Sequence, residues 1–106
     1  MSKGVSGKKK LNTITEQEAK TILSERGHKN WMTVTFPKDD IQNLHQHPFD
    51  VDLVVVSGNI KIVVGDKEYN LTSGDEFQLG AGIAHSEFRG ENGVVLVSAR
   101  PEKTES

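Results

Sequence analysis

Three histidines of this chain have the spacing of metal ligands on β-strands. His45 and His47 are separated by one residue within the run 44–48, and His85 ends the glycine-rich run 80–85. Alternate residues of a strand point to the same face, so His45 and His47 are expected to share one face. Imidazole nitrogens bind zinc, copper, iron and nickel. The three residues would form one metal site if the fold brings His85 to the first two.

Two charged residues follow His85 at intervals of two, so a regular strand would turn them to the same face. Glu87 is therefore a candidate extra ligand or general base, with an ion pair or exposure at the rim of the fold as the alternative. Arg89 carries the planar guanidinium that binds a carboxylate or phosphate substrate through two hydrogen bonds. The alternative for Arg89 is a surface salt bridge.

Three further residues lie near this group or share its chemistry. Phe49 and Phe88 are candidates for the wall of the site, although apolar packing explains them equally well. His28 follows Gly27 at the end of a predicted helix. We expect His28 to be exposed there, to interact with the helix dipole, and to stay outside the site.

The composition excludes several classes of protein. With 106 residues the chain has room for a single domain. Its formal net charge of -2 provides no basic surface for nucleic acid, and the absence of cysteine excludes disulfides, thiolate metal sites and a cysteine nucleophile. No apolar run approaches the roughly 20 residues of a membrane span, and no signal peptide is visible. We therefore expect a cytoplasmic protein with neither a nucleic-acid nor a membrane partner.

The elements that would position the histidines follow a simple order. Residues 1–10 are expected to be a disordered leader, 11–100 a single domain, and 101–106 a frayed tail. A helix is predicted over about residues 16–26, because Thr15 and Glu18 have the spacing of a capping box and a glycine follows the apolar stripe.

From about residue 31 to 100 the sequence changes to alternating, β-rich segments separated by glycine-containing turns. The run 54–56 is apolar on both faces, so we expect it to be covered by a partner sheet or by a second subunit, and we predict a homodimer. About eight short strands are predicted, over residues 31–36, 42–46, 51–56, 60–64, 68–71, 76–79, 84–88 and 94–99.

The spacing of histidines and glycines resembles the two motifs of the cupin superfamily. The first motif is Gly, five residues, His-x-His, three or four residues, Glu, six residues, Gly, and the second is Gly, five residues, Pro-x-Gly, two residues, His, three residues, Asn. The matching residues are His45, His47 and Gly58 in the first motif and Gly74, Gly82 and His85 in the second. The resemblance covers about residues 31–100. It implies a small single-domain cupin: an all-β jelly-roll barrel with one short N-terminal α-helix.

The chain departs from these motifs at four positions. Asp39 stands for the first glycine, Gly80 for the proline, Arg89 for the asparagine and Val51 for the glutamate ligand. Asp50 and Asp52 flank Val51, but strand alternation turns both away from the face that Val51 shares, and only a bulge or a register change would bring one inward. The resemblance therefore implies a three-histidine site, His45, His47 and His85, with open positions for water or substrate.

Cupin-like thiol dioxygenases bind iron at such sites and carry out oxygen chemistry. The resemblance thus implies a metal-binding small cupin with one divalent transition-metal ion, iron first and manganese, nickel, zinc or copper as alternatives. Its expected function is that of a metal-dependent enzyme, dioxygenase-like or a lyase or isomerase, acting on a small organic molecule. One alternative is a non-catalytic module that binds metal or a small ligand for sensing or storage, which the missing glutamate favours. Another is a barrel with vestigial histidines.

Overall fold

A computed structural model describes residues 14–100 of the chain. The expected leader 1–10 and tail 101–106 lie outside the described residues. No helix in residues 14–100 is long and apolar enough to cross a membrane. The elements are α1 (Glu16–Glu25), β1 (Asn30–Phe36), β2 (Ile41–His45), β3 (Val51–Val64), β4 (Lys67–Thr72), β5 (Glu76–Leu79) and β6 (His85–Arg100).

Two long strands, β3 and β6, form the frame of the fold. They pair with each other in antiparallel register along most of their length, and both change register near the middle. On one side of this point β1 extends the sheet from β6 and β5 extends it from β3. On the other side β2 pairs with β6 and β4 pairs with β3. The result is one strongly bent sheet that folds into two facing layers, which confirms the predicted all-β jelly roll.

The prediction of about eight separate strands is wrong at two places. Runs 57–59 and 90–93 were expected to be turns, but β3 and β6 continue through them as bulged, bent strands. Backbones approach closely here: a Cβ on Gly58, whose φ is +77°, would lie 2.1 Å from the carbonyl oxygen of Gly93. The glycines therefore allow a crossing of the two layers without ending either strand.

The interior of the roll is filled by apolar side chains from both layers. Inward-facing residues of β3 lie on both sides of the bend and contact residues of β4, β5 and β6. The buried cluster consists of Leu53, Val55, Ile60, Ile62, Leu71, Phe77, Leu79, Val94 and Leu96. Because this cluster joins the two layers, it fixes the distance between the strands that carry the candidate site.

Helix α1 covers the outer face of the sheet. Its capping box forms as predicted, with Thr15 Oγ1 accepting from the Glu18 amide at 3.1 Å and Glu18 Oε1 accepting from the Thr15 amide at 2.8 Å. Leu23 is fully buried and packs in the same cluster as Val54 and Val97. The cover expected from a partner sheet or second subunit is thus provided by α1. The homodimer stays a prediction, but this apolar face no longer argues for it.

A buried ionic cluster holds α1 against the sheet. Asp52, only 2% exposed, faces outward as alternation predicted, and pairs with Arg26. It also accepts from Gln78 Nε2 at 2.9 Å, and His28 Nε2 lies 2.9 Å from its other oxygen. Arg26 pairs with buried Glu76 as well. The prediction that His28 is exposed is wrong, because the helix end packs onto this acidic pair.

We expect the Asp52→Asn substitution to destabilise the fold by about 2 kcal/mol, because Arg26 and His28 lose a shared, nearly buried carboxylate. The value is below that of a fully buried pair, since Arg26 keeps contact with solvent. Urea unfolding followed by circular dichroism measures the change. The matched control is Asp66→Asn in the exposed turn between β3 and β4, where a change within about 0.5 kcal/mol is expected. Equal effects of the two substitutions would contradict this account.

Candidate metal centre

The three predicted ligands meet at one end of the roll. His45 is the last residue of β2 and pairs directly with His85, the first residue of β6. His47 follows in the loop, and the ring centroids of the three histidines lie 4.3 to 5.3 Å apart. Glu87 joins them: one ligand atom from each of the four residues lies within 4.8 Å of the others. The pairing of β2 with β6 therefore brings His45 and His85, which are distant in sequence, into one cluster.

The loops beside the cluster are tied together by backbone hydrogen bonds. The carbonyl oxygen of His47 accepts from the Gly82 amide at 2.8 Å. Asp50 Oδ1 accepts from the Ala81 amide at 2.9 Å. Asp50 thus joins the two histidine-bearing loops, whereas Asp52 lies on the outer face with α1, so neither aspartate belongs to the cluster. Val51, where the cupin motif has its glutamate, lines the adjoining cavity instead.

Backbone carbonyls orient two of the imidazole rings in the same way. His45 Nδ1 lies 2.7 Å from the carbonyl oxygen of Asn43, and His85 Nδ1 lies 3.1 Å from that of Ile83. A carbonyl only accepts, so each Nδ1 carries a proton and each Nε2 is directed at the cluster, where it can bind a metal when it is deprotonated. A hydrogen bond of this kind fixes the tautomer of most metal-binding histidines.

Glu87 lies between these two Nε2 atoms. Its Oε2 is 3.2 Å from His85 Nε2 and 3.7 Å from His45 Nε2. Burial alone lowers the pKa of His85, but the hydrogen bonds to Glu87 and to the Ile83 carbonyl, with the charge of Glu87, outweigh it and raise the pKa. Burial alone raises the pKa of Glu87, and its hydrogen bond to His85 and the nearby cationic charges of Arg89 and the histidines lower it overall. When His85 is protonated, its Nε2 donates to Glu87 Oε2, and that proton lies where a metal cation would bind.

His47 differs from the other two imidazoles. Its ring stacks on Phe49 with centroids 5.2 Å apart. Burial is the largest cause that lowers its pKa, followed by the charges of His45 and His85, with a smaller contribution from Arg100. A neutral imidazole is the form that binds a metal, so His47 is ready to act as a ligand.

Arg89 positions Glu87. Its Nη2 lies 2.8 Å from Glu87 Oε1, the oxygen that faces away from the histidines, and its Nη1 lies 3.3 Å from Asp40 Oδ2. The guanidinium covers the ring of Phe36, with Cζ 3.5 Å from the centroid, and only 1% of the side chain is exposed. The alternative of a surface salt bridge is therefore wrong, because β1 and the loop before β2 enclose the group.

A cavity of about 290 Å³ adjoins the cluster inside the roll. Phe49 lines it, as predicted. Phe88 does not, because it lies on the outer face of β6 under Lys61, whose Nζ is 5.0 Å from the ring centroid. The polar lining residues are Gln42, His45, His47, His85, Glu87, Arg89, Ser98 and Arg100, and the apolar ones are Val34, Phe36, Phe49, Val51, Leu53, Ile60, Ile62, Phe77, Leu79 and Leu96.

The donor set fits a divalent transition metal. Three imidazole nitrogens and one carboxylate oxygen suit zinc, iron, nickel and copper. Ligand atoms about 2.1 Å from one ion lie roughly 3 to 4 Å from each other. The candidate ligand atoms of the four residues lie within 4.8 Å of one another, so small side-chain rotations would bring them to these distances. Strand alternation predicted the face of Glu87 correctly. The burial of Arg89 could not be predicted in this way, because Phe36 and Asp40, which enclose it, are distant in sequence.

Comparisons with known proteins identify the fold. No protein-family model and no curated protein matches the sequence. Among solved structures, acireductone dioxygenase from Bacillus anthracis, with a cadmium ion in its active center, is similar with a TM-score of 0.66 and 17% identity, over 90% of this chain and 76% of that chain. A cupin-2 domain protein from Shewanella frigidimarina has a TM-score of 0.57 and 19% identity, over 66% and 69% of the two chains. KdgF from Halomonas sp. has a TM-score of 0.57 and 21% identity, over 72% and 75%. Identities this low show the fold alone, and they confirm the resemblance to cupins at that level.

We expect Arg89→Met to weaken zinc binding about 10- to 100-fold, because Glu87 loses the partner that orients its second oxygen. The measurement is isothermal titration calorimetry with Zn²⁺. If Arg89 acts through Glu87, adding Arg89→Met to Glu87→Gln causes little further loss. Arg89→Lys should restore part of the affinity, and Asp40→Asn, at the exposed partner of Arg89, should change it only slightly. Additive losses in the double variant would contradict the positioning role.

Zinc binding is expected to release a proton from His85. The pKa of His85 is raised above its ordinary 6.5, so below the raised value a proton must leave before Nε2 binds the metal. The association constant should therefore rise with pH through this region and level off above it. Calorimetry in buffers of different ionisation enthalpy counts the protons. In Glu87→Gln the rise should move to lower pH, because His85 loses its anionic partner, and an unmoved midpoint would show that Glu87 does not hold the proton.

Proposed function

We propose that this cupin-fold chain is a metal-dependent enzyme that binds one divalent transition-metal ion and acts on a small organic molecule. His45, His47 and His85 would be the ligands, with Glu87 as the fourth. One observation carries the proposal: two Nδ1 atoms are fixed on backbone carbonyls while their Nε2 atoms face the same carboxylate oxygen. Metal-binding histidines in proteins are oriented in the same way, by a hydrogen bond from the ring nitrogen that does not bind the metal.

Iron is the metal that we propose first, with manganese, nickel, zinc or copper as alternatives, because neutral imidazoles accept all of them. When bound, an iron ion would supply oxygen chemistry, and any of these ions would polarise a substrate oxygen for lyase or isomerase chemistry. The similar fold of acireductone dioxygenase, whose structure holds cadmium in the active center, supports a dioxygenase-like reaction. Proteins of the same fold catalyse different reactions, so the proposal rests on the residues of the site.

In the proposed enzyme, Arg89, Glu87 and the cavity walls have different roles. Arg89 holds Oε1 of Glu87, which leaves Oε2 directed at the histidines. A carboxylate with a lowered pKa is a weak base, so Glu87 serves better as a ligand than as the general base also considered for it. The apolar walls of the cavity exclude water from the substrate, and the cavity volume of about 290 Å³ limits the substrate to a small molecule.

The second candidate function is a non-catalytic module that binds a metal or small ligand for sensing or storage. The observation that favours it is Val51, an apolar residue of the cavity wall at the position of the usual glutamate ligand. Thermal stabilisation by a small ligand without formation of any product would support this function over the enzyme. Assembly as a homodimer and residence in the cytoplasm remain predictions under either function.

Elemental analysis of protein purified without an affinity tag tests the metal centre. We expect about one divalent transition-metal ion per chain, and a loss of most of it in His47→Ala and His85→Ala, because each removes one imidazole ligand. The matched control is His28→Ala, which removes the remaining histidine on the opposite face of the sheet and should leave the metal content unchanged. Unaltered metal content in His47→Ala would overturn the proposed site.

A further inference from the structure

We propose that the substrate is a small carboxylate anion whose carboxylate binds Arg100 while another oxygen-bearing group reaches the metal centre. This inference rests on the proposed function and names its substrate class. It starts from the second half of β6, which lines the cavity from the layer opposite the histidine-bearing half of the same strand.

The guanidinium of Arg100 contacts only neutral groups among the described residues. Its Nη1 donates to Ser98 Oγ at 2.8 Å and to the Ala99 carbonyl at 3.3 Å, and its Nη2 contacts Met32 Sδ at 3.6 Å. In residues 14–100 no carboxylate forms an ion pair with it, whereas Arg89 forms ion pairs with Glu87 and Asp40. A guanidinium on a cavity wall without an anionic partner is suited to an anionic ligand.

The balance of charge in the cavity favours the same ligand. Among the described residues, the charged side chains of the lining are Arg89, Arg100 and Glu87, which leaves one net positive charge while the histidines are neutral. A divalent ion on the histidines raises this to three. A concave, largely apolar site with such an excess of positive charge binds anions in preference to neutral molecules of the same shape.

The geometry favours a carboxylate over a larger anion. Ser98 accepts from Arg100, so its own hydroxyl hydrogen remains available to donate to a ligand beside the guanidinium. One planar guanidinium and one hydroxyl match the two oxygens of a carboxylate. Arg100 and the histidines line the same cavity of about 290 Å³, which has room for a small molecule that contacts both.

The test compares two probes, L-malate and L-lactate, titrated calorimetrically into zinc-loaded protein. Both offer the same 2-hydroxycarboxylate group to the metal, and only malate has a second carboxylate for Arg100. We expect malate to bind about 10-fold or more tightly than lactate, because its second carboxylate forms a charged hydrogen bond with Arg100. In Arg100→Gln the malate affinity should fall to that of lactate. Lys61→Gln removes a cation from the outer face and is the matched control, in which the preference should persist.

Two results would overturn the inference: equal binding of malate and lactate to the wild type, or a malate preference that survives in Arg100→Gln. Zinc stoichiometry, measured first on each variant, separates this test from that of the metal centre. If the wild type binds none of the candidate metals, the proposed function fails, and succinate titrated into metal-free protein still tests the arginine. Succinate should then bind more weakly to Arg100→Gln than to Lys61→Gln, and equal affinities would exclude Arg100 as the anion site.

Discussion

The bend shared by β3 and β6 is the constraint on which the rest of the structure depends. Gly58 and Gly93 allow the two backbones to approach so closely that a single added Cβ would collide with a carbonyl oxygen. Because β6 passes through this bend, its first half carries His85 and Glu87 in one layer and its second half carries Arg100 in the other. One strand thus supplies both the face of the candidate metal centre and the opposing wall of the cavity.

The sequence predicted the cluster better than the strands that hold it. The face shared by His45 and His47 is a local consequence of alternation, and the motif spacing related them to His85. The strand boundaries failed because a glycine-rich run has the same composition in a turn as in a bulge. Only the pairing partner decides between the two, and for residues 57 and 58 of β3 that partner lies in β6, far along the chain.

Alternation also predicted the direction of the charged side chains without predicting their surroundings. Asp52 was expected to face away from the interior of the roll, and it does. However, α1 packs on that face of the sheet, so Asp52 is buried. Arg89 was expected to face the site, and it does, but Phe36 from β1 and the Asp40 loop remove it from solvent. A buried charge needs a partner, and such partners come from tertiary contacts that no local pattern contains.

A carboxylate on β6 keeps the donor set of three nitrogens and one oxygen although β3 carries Val51 in place of glutamate. The change of strand has an electrostatic consequence, because Glu87 shares its charge with Arg89 before any metal arrives. A cation at the histidines therefore competes with the guanidinium for the same carboxylate and gains less attraction than from an unpaired one. In return, the ion pair fixes the carboxylate in a buried position, and we expect this orientation to strengthen metal binding more than the shared charge weakens it.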